Sequence, residues 1–161
     1  MRFHLRRTDK EITDPAIMKK ILRSTQHVTL AMSMDNEPYL VSLSHGYDEA
    51  RNCIYFHCAS EGKKIVYLRS NNSVWGQAVL DRGYAEGKCT HFYASVHFSG
   101  KVTFLRDLEE KRYALECMMR QLDKEPEPLI KQLSREGLAK VAIGRIDLEY
   151  MSGKKSAEVT I

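Results

Sequence analysis

The chain has 161 residues, 29% of them charged, and a net charge of +4. That length and balance exclude a disordered or fibrous chain and fit one globular domain over 1–161, with a core that needs no disulfide or metal. No apolar run approaches the roughly 20 residues that cross a bilayer, and Met1 to Arg7 carries charge with no apolar run behind it, so the expectation is a cytoplasmic protein with no signal peptide and no membrane partner.

In chain order, Thr13-Asp14-Pro15 reads as a helix start, with a capping side chain and Pro in the first turn. Ile17, Ile21 and Leu22 then share one face, which predicts a helix over Pro15 to Ser24. Three strand-like runs follow: Val28 to Met34, Tyr39 to Tyr47 and Cys53 to Cys58. The short polar turns between them predict antiparallel hairpins. Ser60 to Ser70 reads as a helix that opens on a Ser cap and turns Ile65, Val66 and Leu68 inward, with Asn71-Asn72 as its stop. Val74 to Leu80 is a fourth strand, Asp81 to Lys88 a polar loop, and His91 to Leu105 a long strand in which Gly100 permits a bend. Asp107 caps a helix with Leu108, Leu115, Met118 and Leu122 on one stripe. A short helix from Pro128 to Glu136, stopped by Gly137, a last strand from Ala139 to Tyr150 and a tail over Met151 to Ile161 complete the chain. About six strands and four helices predict an α+β, mainly β protein: an antiparallel barrel with flanking helices rather than a doubly wound parallel sheet.

Composition narrows the chemistry. Cys53, Cys58, Cys89 and Cys117 form no CxxC pair, so reduced thiols are expected. His91 and His97 share a strand face but stand some 20 Å apart on a straight strand, so no metal site is predicted. Lys and Arg are dispersed among acidic neighbours, which argues against a nucleic-acid surface. The informative segment is Phe56-His57-Cys58-Ala59-Ser60-Glu61-Gly62-Lys63-Lys64. Cations are disfavoured in the first turn of a helix, because its free N–H groups already make that end positive. Lys63 and Lys64 there are explained either by a phosphate at the helix end or by side chains that simply extend into water. Gly62 would let a phosphate approach the backbone. His57 is open to two readings, a structural histidine or a functional one. His45 reads as a rim histidine and Trp75 as a barrel or interface anchor, with a place beside a bound ring as the alternative for each.

Five elements in register resemble the FMN-binding split barrels related to pyridoxamine 5′-phosphate oxidase, and most closely their nitroimidazole-resistance branch. They are Pro38 to Leu43, Ile54 to His57, Gly62-Lys63-Lys64, Tyr93 to Gly100 and Ser152-Gly153-Lys154. The resemblance implies a homodimer with FMN between the subunits. It implies that Lys63 and Lys64 hold the phosphate, that Val41, Ser42, Leu43, Ser44, His57, Cys58 and Ala59 run along the ring, and that Ser95 and Lys154 also contact the cofactor. It implies that His57 binds an acidic acceptor or passes it a proton. Two positions depart from the pattern: Ala94 stands where an Arg is frequent, and Lys155-Ser156-Ala157 follow where some members carry an aromatic. The function so implied is a flavin-dependent oxidoreductase that takes electrons from a reduced nicotinamide and passes them to a small electron-poor acceptor. A non-catalytic FMN- or haem-binding protein on the same scaffold, and a nucleic-acid-binding barrel, are the alternatives.

Overall fold

The computed structural model describes residues 6–161, so any feature of residues 1–5 lies outside it. After a single 3-10 turn, the elements are β1 (Glu11–Ile12), α1 (Pro15–Ser24), β2 (His27–Met34), β3 (Glu37–Ser44), β4 (Gly46–Asp48), β5 (Cys53–Cys58), α2 (Lys63–Ser70), β6 (Ser73–Ala85), β7 (Thr90–Phe104), α3 (Leu108–Leu122), α4 (Glu127–Lys131), α5 (Arg135–Lys140) and β8 (Ala142–Lys155). All strands join one antiparallel sheet in the order β3-β2-β6-β7-β8-β5-β4, and β1 adds to β8. The sheet curls until β3 and β5 touch without a hydrogen-bonded ladder between them. This is the expected antiparallel split barrel with flanking helices, and the β3/β5 seam is its split.

Period-two alternation fills the barrel. Val28, Leu30 and Met32 of β2, Val74 and Ala78 of β6, Ala94, Val96 and Phe98 of β7, Ile146 of β8, and Ile54 and Phe56 of β5 all face the interior core. The opposite face of β5 is covered as well. Cys53 and Tyr55 pack with Ala114 and Met118 of α3 in a second cluster. Strand β5 is therefore buried on both faces from Cys53 to Phe56, and only His57 and Cys58 emerge.

The structure corrects several expected boundaries. The run Tyr39 to Tyr47 is two strands, because β3 leaves β2 at Ser44 and β4 pairs with β5 instead. The stretch Asp81 to Lys88 is mostly strand; β6 continues to Ala85 across an irregularity between Asp81 and Tyr84, and its polarity reflects solvent on both sides. The helix expected over Pro128 to Glu136 is two helices, since Ser134 caps a new one by accepting the Gly137 N–H at 3.1 Å. Gly137 thus lies inside a helix, and β8 begins at Ala142 and runs on to Lys155. Val66 is exposed while Tyr67 takes its inward place on α2, and on α3 the buried stripe is Lys111, Ala114 and Met118. No helix among the described residues is long and apolar enough to cross a membrane.

His45 is a buried core histidine, not a rim one. Its Nε2 lies 2.9 Å from the Leu22 carbonyl, which only accepts, so Nε2 carries the proton. Nδ1 is buried with no partner among the described residues. Burial holds the imidazole pKa below its ordinary value, against the opposing pull of the Leu22 carbonyl. Between the depressed folded pKa and the unfolded value near 6.5, the unfolded chain binds more protons, so His45 makes stability fall as pH drops below about 6.5. Urea denaturation at pH 7.5 and pH 5 should show a smaller acid loss for His45→Gln than for wild type; identical losses would remove His45 from the acid response.

Candidate functional site

Strand β3 is the free edge at the split. Tyr39, Val41 and Leu43 are half-buried against the core, while Leu40, Ser42 and Ser44 face outward. Across the seam, β5 extends beyond the end of β4, so His57 is exposed and Cys58 half-buried, with exposed Ala59 following. Burial pushes the Cys58 thiol up, and Lys64 only partly offsets it, so this thiol stays protonated at neutral pH. The His57 side chain makes no hydrogen bond or ion pair among the described residues.

Helix α2 starts at Lys63, not at Ser60. Gly62 is the N-cap, with φ +115°, a conformation that only glycine adopts freely. No side chain caps this end, and no acidic residue lies in its first turn. Its leading N–H groups therefore have no side-chain acceptor, and Lys63 and Lys64 occupy the same first turn. A Cβ on Gly62 would meet nothing within 4 Å, so the approach to the backbone is clear. Lys63 Nζ lies 4.8 Å from the Tyr39 ring centroid, 5.4 Å from that of Tyr67 and 3.9 Å from Glu37 Oε1. Lys64 Nζ stands 6.0 Å from the Phe56 ring. This set suits a phosphate: uncapped amides, two cations and an unobstructed glycine.

The seam thus gathers Val41, Ser42, Leu43, Ser44, His57, Cys58, Ala59, Lys63 and Lys64. It does not gather Ser95 and Lys154. These two are partners in the β7/β8 ladder on the outer face of the sheet. β7 stands three strand spacings from β3, about 14 Å. Lys154 lies seven residues beyond Asp147, the last β8 residue paired with β5, which is about 23 Å of strand. A single barrel therefore holds the expected cofactor contacts in two separate places. Ala94 is fully buried in the core, so the departure there falls on the inner face.

The outer face carries an ordering that sequence reading missed. Successive registers align Ser42, Thr29, Gln77, His97 and Ser152 in one polar row across five strands. Ser42 Oγ and Thr29 Oγ1 are 3.0 Å apart, and Gln77 Nε2 and His97 Nε2 are 2.8 Å apart. Burial, then the charge of Lys154, lowers the His97 pKa. On the neighbouring row Trp75 is 53% exposed and meets Tyr150 edge to face, with centroids 5.8 Å apart, and Leu40 is 64% exposed. Polar residues at period two in β6 and β7 were the available signal. His91, by contrast, pairs with Asp81 at 2.7 Å, and the described residues hold no cluster of three metal-ligating groups.

Comparison with solved structures finds this architecture elsewhere. A candidate 5-nitroimidazole antibiotic resistance protein of Bacteroides thetaiotaomicron is 28% identical over 89% of this chain and 85% of its own, with a TM-score of 0.77. The flavocytochrome Anf3 of Azotobacter vinelandii is 15% identical, covering 98% of this chain and 74% of that one, with a TM-score of 0.81. An FAD and heme binding protein of Mycobacterium smegmatis is 14% identical over 94% and 76%, with a TM-score of 0.79. At those identities the last two show the shared fold alone. A search of curated proteins returned no match. The family model for pyridoxamine 5′-phosphate oxidase matches residues 14–155, nearly the whole chain, and the chain therefore belongs to that family.

Proposed function

We propose that this chain is an FMN-binding flavoprotein that works as a homodimer and passes electrons from a reduced nicotinamide to a small electron-poor acceptor. The observation that carries the reading is the open N-terminus of α2, where Gly62, Lys63 and Lys64 form an anion cradle at the barrel split. The family match and the likeness to a candidate nitroimidazole-resistance protein support a flavin and an electron-poor acceptor. Bound FMN would supply the redox chemistry. The protein's part is to hold the phosphate with Lys63 and Lys64, to lay the edge of β3 along the ring, and to offer His57 as a proton source at the seam.

Strand order supports the dimer. Ser95 and Lys154 lie away from the seam of their own barrel, so a second copy would bring such residues to a cofactor held there. The exposed outer face with Leu40, Trp75 and Val79 is the surface that copy would cover.

The test is FMN titration followed by sedimentation and by turnover with reduced nicotinamide and a nitroaromatic acceptor. His57→Ala should keep FMN bound and lower kcat/KM about 100-fold, the scale of a lost proton donor. A flavin that binds to a monomer sinks the dimer, and unchanged kinetics in His57→Ala sink its role. A second reading, a flavin-binding protein without turnover, is favoured by one observation: among the described residues nothing orients the His57 ring. A tightly bound flavin that nicotinamide fails to reduce would select it.

A further inference from the structure

A cavity of about 890 Å³ opens between α2, the end of β7 with Leu105 and Arg106 just beyond it, and the chain running from α5 into β8. Its charged lining is entirely cationic: Arg69, Arg106, Lys111 and Lys140. The chain carries 21 Asp and Glu against 25 Lys and Arg, so a concave wall without one carboxylate is a selective arrangement.

The cations differ in how they are held. Lys140 is paired with Glu136. Lys111 is 8% exposed, and its Nζ donates to the carbonyls of Leu138 at 2.9 Å and Val141 at 2.7 Å. That anchors the end of α5, but carbonyl dipoles leave the ammonium's net charge in place and its third proton uncommitted. Arg69 and Arg106 are exposed and make no ion pair among the described residues. Three uncompensated cations therefore face one recess with low-dielectric walls, which concentrates positive potential there. The hydroxyls of Ser60 and Ser70 add donors to the rim.

We propose that this cavity is a second anion site, one that takes a phosphorylated small molecule. Two planar guanidinium forks suit bidentate recognition of phosphate oxygens, and the volume exceeds that of a bare anion, so the phosphate belongs to a larger molecule of up to nucleotide size. The site is separate from the cradle at the start of α2. Lys63 and Lys64 do not line it; they face Tyr39 and Phe56. The inference therefore does not rest on the flavin reading.

The probe is pyrophosphate, titrated calorimetrically into the full chain at low salt. Lys63→Ala with Lys64→Ala serves as the background, because it silences the other cradle. That double variant should bind pyrophosphate, and adding Arg69→Ala and Arg106→Ala should weaken binding about 100-fold. Arg69→Gln with Arg106→Gln, which keeps side-chain bulk, should do the same, and thermal melts establish that each variant is folded. Absence of pyrophosphate binding in the background variant would overturn the proposal. So would undiminished binding once both arginines are gone.

Discussion

Replacing Lys63 and Lys64 with alanine is expected to weaken FMN binding about 100-fold while leaving riboflavin binding nearly unchanged. A hydrogen bond to a charged group contributes roughly 1.5–3 kcal/mol, and each factor of ten in affinity is about 1.4 kcal/mol. The lower end applies here, because the Lys63 side chain is 55% exposed and solvent screens it. Riboflavin carries no phosphate, so it loses nothing when the cradle does. Two opposing terms act on the unliganded protein. Removing two cations from a helix N-terminus relieves an unfavourable dipole contact. It also removes the Lys63 contacts with Tyr39, Tyr67 and Glu37. Each term is worth about 0.5–1 kcal/mol at an exposed site, so the melting temperature of the apo protein should barely move. Calorimetry with both ligands and melts without ligand decide it. Equal losses for FMN and riboflavin would mean that the lysines act on the ring or on the fold, not on a phosphate.

The helix start at the barrel split was legible because its signal is local: a glycine and two lysines within three residues. The exact start was not legible, since Ser60 has the side chain of a cap, and only the positive φ of Gly62 reveals where α2 begins. Alternation of buried and more exposed positions marks the core face of β2 and of β6 up to Ala78, where one side of the strand is buried. It failed on β5, which α3 covers from outside, so Cys53 to Phe56 show no alternation at all. It failed also on β6 beyond Asp81, where neither side is buried and a strand has the composition of a loop. His45 was misplaced for a related reason. Its burial comes from Leu22 of α1 and Gln121 of α3, and that contact spans 76 residues to Gln121. The separation of Ser95 and Lys154 from the seam is a property of strand order, which no local pattern encodes.

Gly100→Ala should cost about 3 kcal/mol, or roughly 10 °C in Tm, although it adds one methyl group in the middle of a strand. Between Ser99 and Gly100 the β7/β8 ladder skips a residue, so that Ser99 faces Tyr150 and Gly100 faces Leu148, and Glu149 is the extra residue of a bulge. The bulge brings the β8 backbone against Gly100. A Cβ there would lie 2.1 Å from the Asp147 carbonyl oxygen and 3.1 Å from Ile146 Cγ2. Asp147 is not free to retreat, because it is paired with Lys101 of β7 on one side and Cys53 of β5 on the other. The same bulge decides what β8 presents to the outside. Before it, Ile146 points into the core; an unbroken period of two would carry Tyr150, Ser152 and Lys154 inward too. The extra residue reverses the parity, so Met151 packs on the core and Lys154 pairs with Ser95 on the outer face. Substitution at Gly100 therefore threatens the aim of Lys154 as well as stability. Gly137→Ala, inside helix α5, where an added Cβ would lie 3.3 Å from Ser134 Oγ, is the control and should change stability by about 1 kcal/mol or less. Chemical denaturation of both variants measures the difference. If Gly100→Ala unfolds within about 0.5 kcal/mol of wild type, the bulge yields to a methyl group and does not fix the register that turns Lys154 outward.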